Sequence, residues 1–446
     1  MSKDTIFEPA IEIPVLDECD VLVVGGGAAG IAAAVGSSRV GVKTILVERY
    51  GCLGGVLTLC AMEPPSWWRQ ERTTMPGGVV EDLDQRMIKA GAVQKTFFRP
   101  STALAYDTEI FKVVADEYIQ ENGVIPVLHC HGVVPLMEGN KITGVITESK
   151  SGRQVILAKR VIDCTGDGDI AVRAGAPFVM AEDELGYSKK GELMRGTLVY
   201  GLNNVDTDKL EKMVDEDPTA RYPITHRLCY MGFKKAEEDG VENPFPMRKT
   251  FVYNRVEKNA LPALNHAVVK VDGTDVLSLT RAEIDSRKGI IEAIAIMRKY
   301  YDGMENATLR NFAMSIGIRE TRRIVGEYQI NLRDIFDEGR FNDTVGVYPL
   351  CGDGPEGTIP AFTEAYFQVP YRITIPKKVE NLLVAGRCVS SKRRTYGVTR
   401  QVDFAMVTGQ ATGAASALSV KRGVISREVD IKLLQKELEN QRVRVF

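Results

Sequence analysis

Residues 21–30 read Val-Leu-Val-Val-Gly-Gly-Gly-Ala-Ala-Gly, an apolar strand that runs directly into a glycine-rich turn. The glycines are spaced G-x-G-x-x-G at Gly25, Gly27 and Gly30, and the alanine-rich sequence after them predicts a helix. Gly25 permits the tight turn, Gly27 lets a pyrophosphate approach the backbone, and Gly30 lets helix and strand pack closely. The N–H groups at the start of such a helix bind phosphate. The stretch therefore predicts a dinucleotide-binding site.

A second predicted strand, residues 43–48, ends in Glu48 and supports this interpretation. A carboxylate at this spacing is expected to accept hydrogen bonds from ribose hydroxyls. The alternative, a glycine turn that only packs a helix on a sheet, does not account for the acid. A further diglycine turn, Gly54-Gly55, follows almost at once. NAD-binding domains do not need this turn, whereas the longer FAD has more chain to cover, so the pattern favours FAD.

From this point the chain resembles the glutathione-reductase-like FAD superfamily. Residues 160–169, Arg-Val-Ile-Asp-Cys-Thr-Gly-Asp-Gly-Asp, are similar to the superfamily's strand that returns beside the first glycine turn. Residues 381–387, Asn-Leu-Leu-Val-Ala-Gly-Arg, are similar to its late strand, whose glycine closes over the cofactor. A predicted helix from about Val402 to Val420 follows, and its positive N-terminal end would stabilise negative charge on the reduced flavin. Motifs and resemblance together predict non-covalent FAD binding by Gly25, Gly27, Ala28, Ala29, Gly30, Glu48, Arg49, Gly54, Gly55, Val133, Thr165, Gly166, Gly386, Arg387 and Gln401.

A closer resemblance is to the FAD-dependent oxidoreductase family that carries Gly-Ile-Arg-Glu-Thr-Arg-Arg-Ile-Val-Gly-Glu-Tyr, here residues 317–328. Segments 272–275, 279–283 and 369–372 also resemble family signatures, in the expected order. The resemblance covers nearly the whole chain and implies an FAD-dependent oxidoreductase. It does not identify the substrate, because a fold and a cofactor do not fix the chemistry.

The predicted fold is α/β: a glutathione-reductase-like FAD-binding fold with a Rossmann-type parallel sheet, a β-meander and an inserted α+β cap domain. Turns near residues 138–141 and 149–152 define the meander. Thr280 and Glu283 resemble a capping box that starts a long helix, and a further helix is expected to carry residues 319–323. We expect the first part of the FAD-binding domain at 20–174, a cap or substrate domain at 177–352, the C-terminal part of the FAD-binding domain at 369–425 and a C-terminal helix at 426–446.

Composition is that of a globular protein and argues against several classes of partner. At 446 residues, 44% hydrophobic and 26% charged, the chain is long enough to bury one large core or two. The formal charge of −2, without a basic stripe, argues against nucleic acid. The absence of a long apolar run or a signal-peptide core predicts a cytoplasmic protein without a membrane anchor. The eight cysteines are scattered, so we expect reduced thiols, while association into a homo-oligomer stays open.

The first candidate catalytic residues come from two arginine clusters, Arg319, Arg322, Arg323, Arg393, Arg394 and Arg400. Arginine stays charged and forms paired hydrogen bonds with carboxylates, so we expect Arg319 and Arg400 to anchor an anionic or strongly polar small-molecule substrate. The alternative is that most of these arginines form structural ion pairs with acids such as Glu320 and Glu327. Arg393 stands where many relatives have a histidine, which puts in doubt the proton transfer that the histidine serves elsewhere.

Histidines and tryptophans supply the remaining candidates. His226 and His266 lie in the predicted cap and are candidate acids or bases, although a structural, hydrogen-bonded histidine is the alternative for each. His129 and His131 share one face of a predicted strand, but no third ligand has metal-site spacing, so we expect no metal. The Trp67-Trp68 pair is expected to roof the substrate pocket, to form an oligomer contact or to pack in the core.

The sequence thus predicts an FAD-dependent oxidoreductase that dehydrogenates a small hydroxylated or anionic metabolite by hydride transfer to flavin N5. Dehydrogenation is favoured because no second G-x-G-x-x-G marks an NADPH-binding domain. Cys52 and Cys60 lack the spacing of a redox pair, so we expect no dithiol chemistry. The alternatives are an FAD-carrying electron-transfer subunit or a flavin-dependent reductase that works with a protein partner, and a scaffold that holds flavin without turnover. No motif identifies the electron acceptor.

Overall fold

The structure is a computed structural model that describes residues 5–65, 69, 72–95, 103–183, 189–216, 231–246, 251–350, 352–354, 357–359 and 364–446. The predictions for Trp67, Trp68 and His226 fall outside these residues. The strands are β1 (Val15–Val24), β2 (Thr44–Val47), β3 (Val93–Lys95), β4 (Leu104–Tyr106), β5 (Ile125–Val127), β6 (His131–Glu138), β7 (Lys141–Ser149), β8 (Gly152–Asp163), β9 (Phe178–Val179), β10 (Gly196–Asn203), β11 (Val252–Tyr253), β12 (Ala260–Val269), β13 (Thr308–Phe312), β14 (Arg323–Ile324), β15 (Thr344–Pro349), β16 (Gly352–Gly354), β17 (Gly357–Ile359), β18 (Tyr366–Pro370) and β19 (Leu382–Val384). The helices are α1 (Ala28–Arg39), α2 (Gly78–Lys89), α3 (Thr108–Glu121), α4 (Asp169–Arg173), α5 (Thr207–Glu216), α6 (Met231–Glu238), α7 (Val276–Tyr300), α8 (Leu332–Phe336), α9 (Tyr396–Thr399), α10 (Val402–Arg422) and α11 (Ile431–Asn440).

The main sheet has the strand order β5-β2-β1-β8-β7-β6, with β19 beside the C-terminal part of β8. Strands β5, β2, β1, β8 and β19 are parallel, and β6 and β7 are antiparallel. Val21 and Val23 of β1 pack in one hydrophobic cluster and Leu22 and Val24 in another, as expected for a parallel strand buried on both faces. The structure confirms an α/β fold with a Rossmann-like parallel sheet, and β6 to β8 form the predicted meander. The finer glutathione-reductase-like assignment stays a prediction.

Helices α1 and α10 pack with their backbones in contact. A Cβ added to Gly409 would lie 2.2 Å from the Ala29 carbonyl oxygen, and one added to Gly413 would lie 2.0 Å from that of Ala33. Only glycine fits such a contact, so these two positions set the close approach of the helices. A Cβ on Gly386, just after β19, would lie 3.0 Å from Ala29 and 3.7 Å from Ala405, both in first helical turns. The two helix N-termini therefore lie side by side next to the end of β19.

A second, antiparallel sheet of order β11-β12-β10-β13 is covered by α7. Ile290, Ile294 and Met297 on that helix pack with Leu198 of β10 and Leu264 of β12. This sheet and its helices are what we call the cap. The predicted domain boundaries themselves stay predictions.

Two predicted helix positions in and beside the cap are wrong. The long helix α7 begins at Val276 rather than at Thr280, because the Asp275 carboxylate caps it by accepting from the N–H groups of Leu277 and Ser278 at 3.1 Å each. Residues 319–322 are not helical, and Arg323 belongs to β14. The reason lies just upstream, where Gly317 forms a backbone bridge with Thr197 of β10 and thereby draws this segment into an extended course.

A third hydrophobic cluster lies where β15 and β18 pair and pack against α10 and α11. Ile330 and Val345 belong to this cluster with Phe404 of α10 and Leu434 of α11. The C-terminal helix starts after Asp430, whose carboxylate accepts from the backbone at Lys432 and Leu433. None of the helices in the described part of the chain combines the length and apolarity that a membrane crossing requires.

Candidate active site

A cavity of about 600 Å³ is lined by residues from both the main sheet and the cap. Gly27, Glu48 and Gly386 contribute from the main-sheet side, and Thr197 and Glu283 contribute from the cap. Concave, partly polar spaces of this size at the junction of two structural units are typical of small-molecule and cofactor sites.

Two glycines of the turn after β1 lie directly against backbone. A Cβ on Gly25, whose φ is +103°, would lie 2.5 Å from the Cys164 carbonyl oxygen, and a Cβ on Gly30 would lie 1.8 Å from that of Gly25. Gly54 donates its N–H to the Gly26 carbonyl oxygen at 2.9 Å, which seats the second diglycine turn on the first. The two turns together form one continuous glycine backbone beside the cavity.

Glu48 follows β2 directly and lines the cavity with a buried carboxylate. Its Oε2 accepts a hydrogen bond of 2.6 Å from the Gly26 N–H, and its Oε1 accepts one of 2.9 Å from the Tyr50 N–H. A carboxylate has about four acceptor positions, so each oxygen retains capacity for a hydroxyl in the cavity. The carboxylate is oriented by backbone on both sides.

The end of β8 returns beside the glycine turn, as predicted. Asp163, fully buried, accepts from the Thr165 N–H at 3.0 Å, from the Thr165 hydroxyl at 2.7 Å and from the Ala171 N–H at 2.8 Å. Burial raises the pKa of Asp163, and these hydrogen bonds oppose the rise. Gly166 follows with a φ of +83°, so Asp163 and Gly166 together shape the turn that brings Thr165 and Asp167 to the cavity wall.

Two helix N-termini meet at the cavity. Gly27 and Gln401, the residues before α1 and α10, make no side-chain capping bond, and both line the cavity. The first-turn N–H groups of a helix without such a cap are available to an anion, and the helix dipole favours negative charge there. The arrangement offers one positive helix end to a phosphate and a second to another electronegative group.

Most of the predicted FAD-binding residues line this cavity: Gly25, Gly27, Ala28, Ala29, Glu48, Arg49, Gly55, Thr165, Gly166, Gly386, Arg387 and Gln401. Gly30 and Gly54 instead support the turns from behind. Val133 does not line this cavity, and its carbonyl oxygen accepts from Arg173 at 3.1 Å, so its contact with FAD stays a prediction. Its strand contributes His131 and Gly132 to the wall instead.

The segment Ser315–Arg319, which we call the bridging segment, connects the two sides of the cavity. Ser315 donates its N–H to the Leu59 carbonyl oxygen at 3.0 Å, and Arg387 Nη1 donates to the Ile318 carbonyl oxygen at 2.8 Å. On the other side, Gly317 exchanges backbone hydrogen bonds of 2.8 and 3.1 Å with Thr197 of β10. The first part of the motif at 317–328 therefore joins the cap to the FAD-binding side.

Arg319 and Arg400 both line the cavity, although they lie far apart in sequence. Arg319 Nη1 donates to the Arg195 carbonyl oxygen at 2.9 Å, which directs one edge of the guanidinium towards β10. The proposed anchoring role of both residues stays a prediction.

The alternative, structural ion pairing, applies to three of the other arginines. Arg323 and Arg393 hold the fully buried Glu320 at 3.0 and 2.7 Å, and Arg322 lies 2.7 Å from Asp169. These contacts fix the motif to the end of β8 and to the segment before α9. Glu327, expected to pair with this cluster, pairs with Arg427 at 2.8 Å instead.

His266 is a correction to the candidate acids and bases. Its ring is fully buried in the cap core, stacked on Phe233 at 4.6 Å and edge-on to Phe245 at 5.1 Å, with Nδ1 3.3 Å from the Tyr200 hydroxyl. It does not line the cavity, whereas the adjacent Asn265 does. The structural interpretation of this histidine therefore holds.

The predicted pairing of His129 and His131 is also wrong in detail. His129 has a φ of +54° and precedes β6, so the two rings do not share a strand face. Among the described residues, no group of three or more His, Cys, Asp or Glu side chains is placed to hold a metal ion.

No disulfide joins Cys52 to Cys60, the two cysteines beside the glycine turns. Cys52 and Cys60 are both unpaired thiols, and burial raises the pKa of Cys60 to about 12. A thiol that stays protonated is a poor nucleophile. Cys60 lines the cavity as a small apolar group against the bridging segment.

Sequence reasoning missed residues on both sides of the cavity. Asp167 lies inside a motif that was identified, so its proximity to Gly166 was the available signal. Thr197, Asn254 and Glu283 reach the cavity only through the pairing of the cap sheet and the packing of α7. No local spacing marks such long-range neighbours.

The residues present fit an elongated dinucleotide. Gly55 could not carry a side chain, because its Cβ would lie 2.8 Å from the Gly27 Cα. At this close contact between two glycines, no side chain projects from the cavity wall beside α1. Three features lie along the same cavity. They are uncapped N–H groups for phosphate, a buried carboxylate for ribose, and a wall long enough to reach the cap.

Comparisons with known proteins give a short curated match and broad likenesses of fold. A urocanate reductase from Eggerthella lenta is 38% identical over 76 residues, which are 17% of this chain and only 12% of that protein. A geranylgeranyl bacteriochlorophyll reductase-like protein from Thermoplasma acidophilum covers 96% of this chain and 84% of its own at 12% identity and a TM-score of 0.47. A myxobacterial chondrochloren halogenase covers 95% of this chain and 79% of its own at 14% identity and a TM-score of 0.49. A p-nitrophenol 4-monooxygenase from Pseudomonas putida covers 96% of this chain and 85% of its own at 11% identity and a TM-score of 0.49.

The match that defines the family extends over almost the whole chain. A family model described as FAD dependent oxidoreductase matches residues 20–438, which include the glycine turns, the cap, Arg319 and Arg400. This agrees with the dinucleotide-shaped cavity and establishes FAD as the cofactor. The chain belongs to the FAD dependent oxidoreductase family.

Proposed function

We propose that the protein oxidises a small polar metabolite, with hydride transfer from a substrate carbon to N5 of FAD. The observation that carries this proposal is that one and the same cavity is lined by the glycine cradle and by a polar wall of the cap. A substrate held by the cap would therefore lie in the same space as the cofactor, without a second nucleotide domain between them.

The orientation of FAD follows from the residues along the cavity. Glu48 offers acceptors to the ribose of the adenosine, and the N-terminus of α1 offers donors to the phosphates. The rest of the cofactor would then extend towards Gly386, Arg387 and the N-terminus of α10, which line the far part of the cavity. The positive end of α10 would favour negative charge on the reduced flavin.

When bound, FAD supplies the two-electron acceptor that no side chain provides. The chain's own residues bind the substrate, orient it and exclude water. Arg319 and Arg400 line the cavity as cations that bind a carboxylate or another strongly polar group. Holding a substrate in one orientation against the cofactor is the main contribution of such residues to the rate.

The reverse direction is the second candidate, because the short curated match is to a urocanate reductase. In that case the same arginines would hold an unsaturated acid as the electron acceptor, and a protein partner would deliver the electrons. The other G-x-G-x-x-G of the chain, at Gly352, Gly354 and Gly357, is carried by the paired strands β16 and β17 rather than by a strand that runs into a helix. It therefore does not mark an NADPH-binding domain, which favours oxidation of a metabolite over reduction by NADPH.

The test is anaerobic bleaching of the bound flavin. Purified holoenzyme is mixed with sugars, hydroxy acids and amino acids, and the flavin absorbance is followed. We expect at least one polar metabolite to bleach the flavin within seconds to minutes. Chemically reduced enzyme that is reoxidised by urocanate, with no bleaching by any metabolite, would instead support the reductase.

A further inference from the structure

We propose that the substrate is a hydroxy carboxylate whose carboxylate binds Arg319, whose hydroxyl binds Thr197 and Glu283, and whose hydroxyl proton is accepted by Glu283. The inference rests on the proposed oxidation at FAD, and it names the substrate class and the proton acceptor of that site.

These three residues lie on the bridging segment or are hydrogen-bonded to it. Thr197 is paired with Gly317 through both backbone hydrogen bonds, and Glu283 Oε1 accepts the Ile316 N–H at 2.7 Å. Arg319 lies two residues after Gly317 on the same segment. All three residues line the cavity, so a small molecule in its cap-side part would meet two hydroxyl-binding groups and a cation at once.

Thr197 carries a hydroxyl that the fold leaves unsatisfied. Its side chain is 3% exposed, and within the described residues Oγ1 has no hydrogen-bond partner. A buried hydroxyl without a partner destabilises a protein, whereas valine has nearly the same shape without that disadvantage. A threonine that faces a ligand cavity in this state is explained by a hydrogen bond to the ligand.

Glu283 is the carboxylate on the cap side of the cavity, and it is oriented from two directions. Besides the Ile316 N–H, it accepts a hydrogen bond of 2.9 Å from Arg287, one turn further along α7. These two donors leave further acceptor positions on a carboxylate. Its side chain is 20% exposed and lines the cavity, so a substrate hydroxyl can reach it.

The chemical step balances with these groups. Bound FAD would accept the hydride from the carbon that carries the hydroxyl, so two electrons would leave the substrate. The O–H bond breaks, its proton passes to the Glu283 carboxylate, and the C–O bond becomes C=O. The product is an oxo carboxylate, still held by Arg319 through its carboxylate.

The combination of groups selects the class. Arg319 alone would admit any small anion, and Thr197 with Glu283 would admit any neutral polyol. A molecule with both groups uses the whole site, and one without the hydroxyl leaves the buried Thr197 hydroxyl unsatisfied. An amino acid carries an ammonium group in place of the hydroxyl. Because that group only donates hydrogen bonds, it would leave the proton of the Thr197 hydroxyl without an acceptor. Binding of an amino acid is a competing outcome.

Recognition is tested by anaerobic rapid mixing with oxidised holoenzyme, in which the binding step is followed through the flavin absorbance before the flavin is reduced. The probes are lactate against propionate, malate against succinate, glycerate against glycerol, and gluconate against glucitol. We expect at least one hydroxy acid to bind ~10-fold or more tightly than its deoxy carboxylate or its neutral polyol. In Thr197→Val the preference over the deoxy acid should fall below ~3-fold without any loss of thermal stability, because the removed hydroxyl had no partner. Thr143→Val, on the meander, is the matched control.

Proton transfer is tested with Glu283→Gln. We expect the bleaching hydroxy acid to bind within ~3-fold of the wild-type affinity, while flavin reduction slows by roughly 100-fold or more, as loss of a general base predicts. Glu292→Gln, an exposed position on the same helix, is the control.

The outcomes separate this inference from the proposed function. Bleaching by a neutral sugar or an amino acid, with no binding of hydroxy acids, would overturn the inference and leave the oxidation intact. A hydroxy-acid preference that survives Thr197→Val would overturn the role of Thr197. Hydroxy acids that bind without bleaching the flavin would overturn the oxidation and the role of Glu283 together.

Discussion

Arg69 Nη2 lies 2.6 Å from Asp403 Oδ2, and the two side chains are only 4% and 1% exposed. Asp403 stands in the first turn of α10, the helix whose N-terminus lines the cavity. Arg69 also contacts Asp84 of α2, and the Tyr106 hydroxyl donates to Asp84. A single buried guanidinium therefore ties α2 to the start of the helix at the cofactor site.

Removing this guanidinium leaves two buried carboxylates without a cation. We expect Arg69→Ala to lower the free energy of unfolding by about 3–5 kcal/mol, since breaking a buried ion pair strands its charges. Denaturant unfolding measures the change. Arg72→Ala is the control, because its pair with Glu364 is 74% and 68% exposed and should contribute little. Equal losses in the two variants would contradict a special role for the buried cluster.

The part of the site that could be predicted from sequence is the part built by neighbours in sequence. Gly25, Gly30 and Glu48 meet within one strand-turn-helix-strand unit, so their spacing carries their geometry. The extended course at 319–322 could not be read locally, because it depends on the bridge between Gly317 and Thr197.

The residues on the cap side of the cavity could not be predicted from the sequence either. Glu283 was interpreted as half of a capping box with Thr280, whereas the helix already starts at Val276, and the carboxylate serves the Ile316 N–H instead. Asp275, one residue before the helix, supplies the cap instead. His266 has the residue type of an acid or base, yet only the packing of Phe233 and Phe245 shows that it is core.

Glu48 is predicted to bind the ribose of FAD. We expect Glu48→Gln to weaken FAD binding by roughly 10- to 150-fold, or ~1.5–3 kcal/mol, because a charged acceptor is lost while its shape is kept. Titration of apoprotein with FAD measures the affinity, and denaturation of the yellow wild-type protein should release FAD, as non-covalent binding requires. Glu109→Gln, whose carboxylate is 75% exposed, is the control. Unchanged affinity would remove Glu48 from the FAD site.

Glu63 is predicted to make stability pH-dependent. Burial raises its pKa to about 8, although Arg255 lies 3.4 Å away and opposes the rise. The folded state therefore holds a proton that the unfolded state releases between the ordinary value of 4.5 and about 8. Stability should fall as pH rises through this window, by at most ~1.4 kcal/mol per pH unit, and the loss should be complete above it.

Glu63→Gln should remove that component of the pH dependence. The difference in unfolding free energy between variant and wild type should grow in favour of the variant from pH 4.5 to about 8 and stay constant above. Denaturant unfolding at several pH values measures the difference. Glu81→Gln, at an exposed position on α2, should track the wild type throughout. Parallel curves for Glu63→Gln and wild type would show that Glu63 is ionised in the fold.

The cysteines next to the flavin site should not store electrons. Since Cys52 and Cys60 form no disulfide and burial keeps the Cys60 thiol protonated, we expect an anaerobic dithionite titration to consume two electrons per flavin. Cys52→Ser with Cys60→Ala should give the same end point. Uptake of four electrons by the wild type, and of two by the double variant, would show a redox-active pair.

Arg319 and Arg400 carry the most direct prediction about substrate. Both line the cavity but reach it from distant parts of the chain, Arg319 on the bridging segment and Arg400 just before α10. We expect Arg319→Ala and Arg400→Ala to keep the yellow colour and the melting temperature, while flavin reduction by the bleaching substrate slows. Truncating a charged anchor costs ~2–4 kcal/mol of transition-state stabilisation, or roughly 30- to 1,000-fold in rate. Stopped-flow reduction at saturating FAD is the measurement, and Arg394→Ala, an exposed arginine outside the cavity wall, is the control. Wild-type rates in both cavity variants would show that these arginines are structural. Substrate binding would then have to come from the other polar side chains of the cap wall.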